Sequence, residues 1–95
     1  MKEPVIEKID CVTKSLADLL AAKNLRYGNS ALEPLRVFAA AELTATQGIC
    51  QRLDDKLGRV KNSHQLRKND VADIMGYLVL LCVAEGWTNF DELID

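Results

Sequence analysis

Apolar residues in this chain return in steps of three and four, and nowhere do they alternate convincingly over the length of a strand. Successive residues of an α-helix turn by about 100°, so this spacing gathers them on one side of a helix. Ile9, Val12, Leu16, Leu19 and Leu20 form the first such stripe and predict a helix from about Val5 to Lys23. The pattern breaks over Lys23 to Ser30, where Gly28 and Asn29 tolerate positive φ, so a turn is expected there. Pro34 suits the first turn of a short helix running to about Ala40.

A second long helix is expected from about Glu42 to Val60, with Cys50, Leu53, Leu57 and Val60 as its apolar seam. Gly48 and Gly58 weaken it by up to about 1 kcal/mol each relative to Ala. Two glycines kept within one helix predict the close approach of another backbone. Lys61 to Lys68 is a polar connection. Asn69 is a good N-cap and Asp70 favours the dipole of a helix running to Glu85. Leu78-Val79-Leu80-Leu81-Cys82-Val83-Ala84 is apolar all round, which predicts a central helix or one covered by a second subunit. Gly86 ends it, Trp87 is expected to fold back on the core, and Thr88 or Asn89 to cap a last short helix through Asp91, Glu92 and Leu93. The expected fold is all-α. Residues 1–95 are expected to make one compact, oligomeric bundle of three main helices with short ones added.

Composition agrees. A chain of 95 residues is enough for one domain. It is 48% hydrophobic and only 5% aromatic, so Leu, Val, Ile and Ala must fill the core, as helix-on-helix packing allows. A net charge of -2 gives no global footprint for nucleic acid. The longest apolar run, Tyr77 to Ala84, is too short for a membrane span, and Met1-Lys2-Glu3-Pro4-Val5 opens no signal peptide. A cytoplasmic protein is expected. Cys11, Cys50 and Cys82 are far apart and odd in number, which reads as reduced, buried thiols. His64 is the sole histidine, so zinc held by Cys and His lacks a ligand set, and a Ser-His-Asp arrangement has little support.

Asp70, Asp73 and Tyr77 fall within one ~60° arc at the edge of the apolar sector of their helix. Two carboxylates spaced in this way can share Mg²⁺, which keeps several waters and takes phosphate oxygens. A dipole-favourable first-turn residue and a solvated flank are the plainer reading of the same pair. On the preceding helix Asp54 lies ~90° from the middle of the expected seam, within reach of the Asp70/Asp73 edge. Asp55 points away from that seam and would enter a site only if another chain covered its face. Arg52, Lys56 and Arg59 recur around these acids and suit either surface ion pairs or phosphate contact. Tyr27, Asn29 and Ser30 read as a helix end and turn, or as a loop that stacks on a base and bonds its edges.

Taken together, these segments resemble the MazG-like all-α nucleoside triphosphate pyrophosphatases. Members of that superfamily carry EExxE on one helix and ExxD on the next. Here Asp54-Asp55 stand at the paired-acid positions, and Asp70-Val71-Ala72-Asp73-Ile74 resembles the second segment. Tyr27-Gly28-Asn29-Ser30, Pro34-Leu35, Asp54-Asp55-Lys56-Leu57-Gly58-Arg59, and Lys68-Asn69-Asp70 through Gly76-Tyr77 resemble small phage and prophage members over most of the chain. The resemblance implies a Mg²⁺-dependent pyrophosphohydrolase converting a nucleoside triphosphate, a deoxynucleotide by expectation, to the monophosphate and pyrophosphate. Asp54, Asp55, Asp70 and Asp73 would hold the metal and orient a water made acidic by it. Arg52, Lys56 and Arg59 would contact phosphates, and Tyr27, Asn29 and Ser30 the nucleoside. It also implies a dimer or tetramer. The sequence departs from the pattern at Gly58, where the third acid of EExxE should stand, and in having aspartates for glutamates. Those departures suit a second expectation, a non-catalytic oligomer that binds a nucleotide or a host protein through a degenerate metal site.

Overall fold

The structure is a computed structural model that describes residues 4–27 and 44–94, with Tyr27 described through its backbone alone. Helix α1 spans Pro4–Tyr27, α2 Ala45–Ser63 and α3 Lys68–Glu85, and a 3-10 turn, η1, covers Asp91–Leu93. No strand occurs among the described residues. The all-helical expectation holds there, whereas the turn at Gly28 and Asn29 and the short helix from Pro34 to Ala40 lie outside them.

Helix boundaries depart from the sequence reading by a few residues. No Gly or Pro intervenes between Lys23 and Tyr27, and α1 runs on through Asn24, Leu25 and Arg26. Its 24 residues give a rod about 36 Å long. Helix α2 starts at Ala45 behind a reciprocal cap. The Gln47 N–H donates to Thr44 Oγ1 at 3.1 Å, while the Thr44 N–H donates to Gln47 Oε1 at 2.9 Å. Asn69 is not the cap of α3. The helix begins at Lys68, with Arg67 in extended backbone as N-cap and no side-chain cap bond. Gly86 ends α3 as expected, in the left-handed region with φ 78°. The last turn is capped by neither Thr88 nor Asn89 in the helical sense. Phe90 is its N-cap, although Asn89 Oδ1 accepts from the Asp91 N–H at 3.3 Å.

Helix α3 lies between the other two and packs more extensively on α2 than on α1. Thr46 near the start of α2 donates to Glu85 at the end of α3 at 2.7 Å, and Lys56 farther along α2 meets Asp70 and Asp73 at the start of α3. The α2–α3 pair is therefore an antiparallel hairpin. Helix α1 meets α3 at Leu20 and Gly76 and again at Lys23 and Asp73, so it too runs antiparallel to α3.

The stripe of α2 that faces α3 is rotated by about 50° from the expected seam, keeping Leu53 and Val60 and putting Ile49 and Lys56 where Cys50 and Leu57 were expected. Ile49 is fully buried and Leu53, Lys56 and Val60 are half-buried, while Cys50 is exposed and Leu57 is 53% exposed. The stripe Ile49, Leu53, Lys56, Val60 is a continuous face at steps of four, three and four. It admits a lysine because a lysine can lay its methylenes against apolar neighbours and carry its charge to the edge.

Three further expectations are corrected. Gly48 and Gly58 admit no close neighbour, since a Cβ at either would meet nothing within 4 Å. The close approach is at Gly76, which is buried and whose Cβ would lie 3.0 Å from Leu20 Cδ2. Cys11 and Cys50 are exposed and Cys82 is only half-buried, because the first two sit on outward sides of their helices. Trp87 does not cover the core. It is 56% exposed and borders an open apolar groove with Leu78, Val79, Cys82, Val83 and Phe90.

Candidate charged node at the helix crossing

Asp70 and Asp73 are one α-helical turn apart, so their carboxyl groups leave the same side of α3 near its N-terminus. The displaced stripe of α2 delivers Lys56 to that side. Lys56 Nζ lies 2.8 Å from Asp73 Oδ2 and 3.8 Å from Asp70 Oδ1. From α1, Lys23 Nζ lies 3.3 Å from Asp73 Oδ1. Two ammonium groups thus face two carboxylates, and Asp73 alone bonds both neighbouring helices.

The node is partly withdrawn from water. The Lys56 and Asp70 side chains are 17% and 14% exposed, against 49% for Lys23. The contact with Lys56 holds the Asp73 carboxyl below its ordinary range; burial opposes this, and Lys23 adds to the lowering. Lys56 is held above the ordinary lysine value, chiefly by the Asp73 carboxylate. Burial and the nearby Arg59 pull it the other way, and Asp70 adds a smaller upward push.

The structure brings two of the four proposed acids to one point. Asp54 and Asp55 are exposed and form no salt bridge among the described residues. Their position follows from the displaced stripe. Measured from the middle of the Ile49–Val60 face, Asp54 and Asp55 each project ~130° away, on opposite sides. Among the described residues no three of His, Cys, Asp and Glu gather in a way that could hold a metal ion. Mg²⁺ requires near-octahedral oxygen ligands at about 2.0–2.1 Å. The position between Asp70 and Asp73 is taken by a nitrogen that carries its own positive charge. The acids as placed in one chain do not fit the Mg²⁺ site that the sequence resemblance implied.

Of the suggested phosphate contacts, Arg52 and Arg59 are exposed and Lys56 belongs to the node. Asn29, Ser30 and the side chain of Tyr27 lie outside the described residues. Sequence reasoning did not single out Lys23, although it falls three and four residues after Leu20 and Leu19 on the α1 stripe. A charge at that spacing was the available signal. No helix among the described residues is long and apolar enough to cross a membrane. No family model, no curated protein and no solved structure matches the chain.

Proposed function

We propose that this chain is a nucleotide-binding helical oligomer of the MazG-like type whose metal site is degenerate. The observation that carries the reading is Lys56 held between Asp70 and Asp73, with Lys23 on the far side of Asp73. A locus already neutralised by two ammonium groups has lost the excess negative charge that draws a dication. Arg52 and Arg59 are exposed beside it on α2 and are free to meet phosphate oxygens, which Arg grips in a forked geometry.

Self-association belongs to this proposal. Ile49 is the one fully buried apolar side chain among the described residues, whereas Val5, Ile6, Ile9 and Val12 on α1 and Leu57 on α2 are each at least 45% exposed. So much uncovered apolar surface is more than a small monomer ordinarily leaves in water. A second copy is the proposed cover. Isothermal titration with each dNTP in EDTA tests the nucleotide reading. Saturable heat with no pyrophosphate formed supports it, and no heat from any of them removes it. Sedimentation gives the subunit number, and a monomer at all concentrations removes the oligomer.

A specific observation favours a second reading, Mg²⁺-dependent pyrophosphohydrolysis of a nucleoside triphosphate. Asp54 is exposed on the side of α2 that also leaves Leu57 uncovered, while Asp55 projects from the other side, so a second copy seated over Leu57 would bring Asp54 into a shared space. Pyrophosphate release from a dNTP panel with Mg²⁺ decides between the two readings. Turnover abolished by Asp54→Asn or Asp55→Asn favours the enzyme.

A further inference from the structure

The mismatch between the acids expected at a metal and the groups that meet here leads to a more specific statement about Lys56. We propose that its ε-ammonium is the resident cation of the Asp70/Asp73 pair, closing this locus to Mg²⁺ in the intact chain. Removing Lys56 would leave a divalent-cation site.

Three observations carry this. Lys56 is set on the inner face of α2 by Ile49, Leu53 and Val60, so its ammonium arrives from the helix itself. It reaches both carboxylates, at 2.8 and 3.8 Å, from the side on which a shared cation would sit. Lys23 gives the same pair a second positive charge, so the four groups balance without any added ion. For Mg²⁺ to enter, Lys56 would have to withdraw its ammonium from both acids. Substituting a neutral side chain removes that competitor and leaves two converging carboxylates with Lys23 as the sole counter-charge. Mg²⁺ sites are built on as few as one or two carboxylates, with waters and, in nucleotide sites, phosphate oxygens completing the shell, and Mn²⁺ takes the same oxygen ligands.

This inference rests on the reading of the metal site as degenerate, and because it is tested without nucleotide its failure is distinguishable from a failure of nucleotide binding. The probe is Mn²⁺ followed by electron paramagnetic resonance, with no nucleotide present. Lys56→Met is expected to bind one Mn²⁺ at least about tenfold more tightly than the natural chain, a difference of ~1.4 kcal/mol. Adding Asp73→Asn to that variant should abolish the gain. Equal affinity in the natural chain and the variant, or no binding by a folded variant, overturns the proposal.

A second measurement uses the unaltered protein and covers the case in which the variant does not fold. Acylation of the lysines is followed by mass spectrometry with and without Mg²⁺. Lys56 should react more slowly than the exposed Lys8 and Lys61, at a rate that Mg²⁺ does not change. Faster modification of Lys56 when Mg²⁺ is added would show the ammonium being displaced and would end the proposal.

Discussion

Helices α1 and α2 both run antiparallel to α3, yet they are held to it in different ways. Helix α2 presents a stripe with Ile49 near one end and Lys56 farther along, so apolar burial and ion pairing act on the same face. It is also tied near its start, by Thr46 to Glu85. Helix α1 touches α3 around Leu20 and Lys23, while Val5, Ile6, Ile9 and Val12 nearer its start are exposed. The hairpin of α2 and α3 carries most of the packing among the described residues, and the start of α1 leaves its apolar side chains exposed. A long helix can be apolar on one face without that face belonging to its own core.

The largest expected effect lies in the hairpin. Ile49→Ala should cost about 2–5 kcal/mol, seen as a lowered urea midpoint, because it empties the one fully buried apolar position described. An Ile49→Ala variant with an unchanged midpoint would mean that the hairpin is not the stable half. Gly76→Leu comes next, at about 1–3 kcal/mol, since any added side chain presses on Leu20 and forces α1 away from α3. Limited proteolysis should then cut α1 before α2. Gly58→Ala acts in the opposite direction. It sits inside α2 with open space around it and should stabilise by up to about 1 kcal/mol in thermal melts.

Lys23→Ala should be milder, below about 1 kcal/mol, because Lys23 is half exposed and its pair with Asp73 is screened by water. Salt should shrink that difference further. The smallest effect is the pH dependence. Asp73 titrates below its ordinary range in the folded chain, so its stabilising contribution is complete above the usual value of about 3.9 and fades as pH falls through the folded value. Lys56 is raised, so its contribution is complete below the usual value of about 10.4 and fades as pH rises through its folded value. Denaturation of the natural chain and of Asp73→Asn should converge toward low pH. A gap that widened there would reverse the sign.

These contrasts also explain what the sequence made legible. Helix existence was readable because the apolar steps of three and four are local and each helix repeats them several times. The pairing of Asp70 with Asp73 was readable for the same reason, being a property of one turn of one helix. The facing stripe of α2 was not. Cys50 and Leu57 look more hydrophobic than a stripe that includes Lys56, and spacing alone does not reveal that two aspartates on α3 await an ammonium. That rotation carried Asp54 to the outside, where Asp55 already pointed. Gly76 escaped notice because a glycine among apolar neighbours shows its purpose only once Leu20 is placed against it. Asn69 illustrates a smaller gap, since a good capping side chain does not ensure that the helix starts there.

Lys56 has one more consequence, for the rotational setting of α2. Advancing the inner face by one residue turns the helix by about 100° and replaces the ammonium with the aliphatic end of Leu57. Retreating by one residue offers Asp55, a third negative group, to two that already repel. Either neighbouring alignment leaves Asp70 without a counter-charge and Asp73 with Lys23 alone, so one basic side chain acts as a key that favours a single angular setting of the helix.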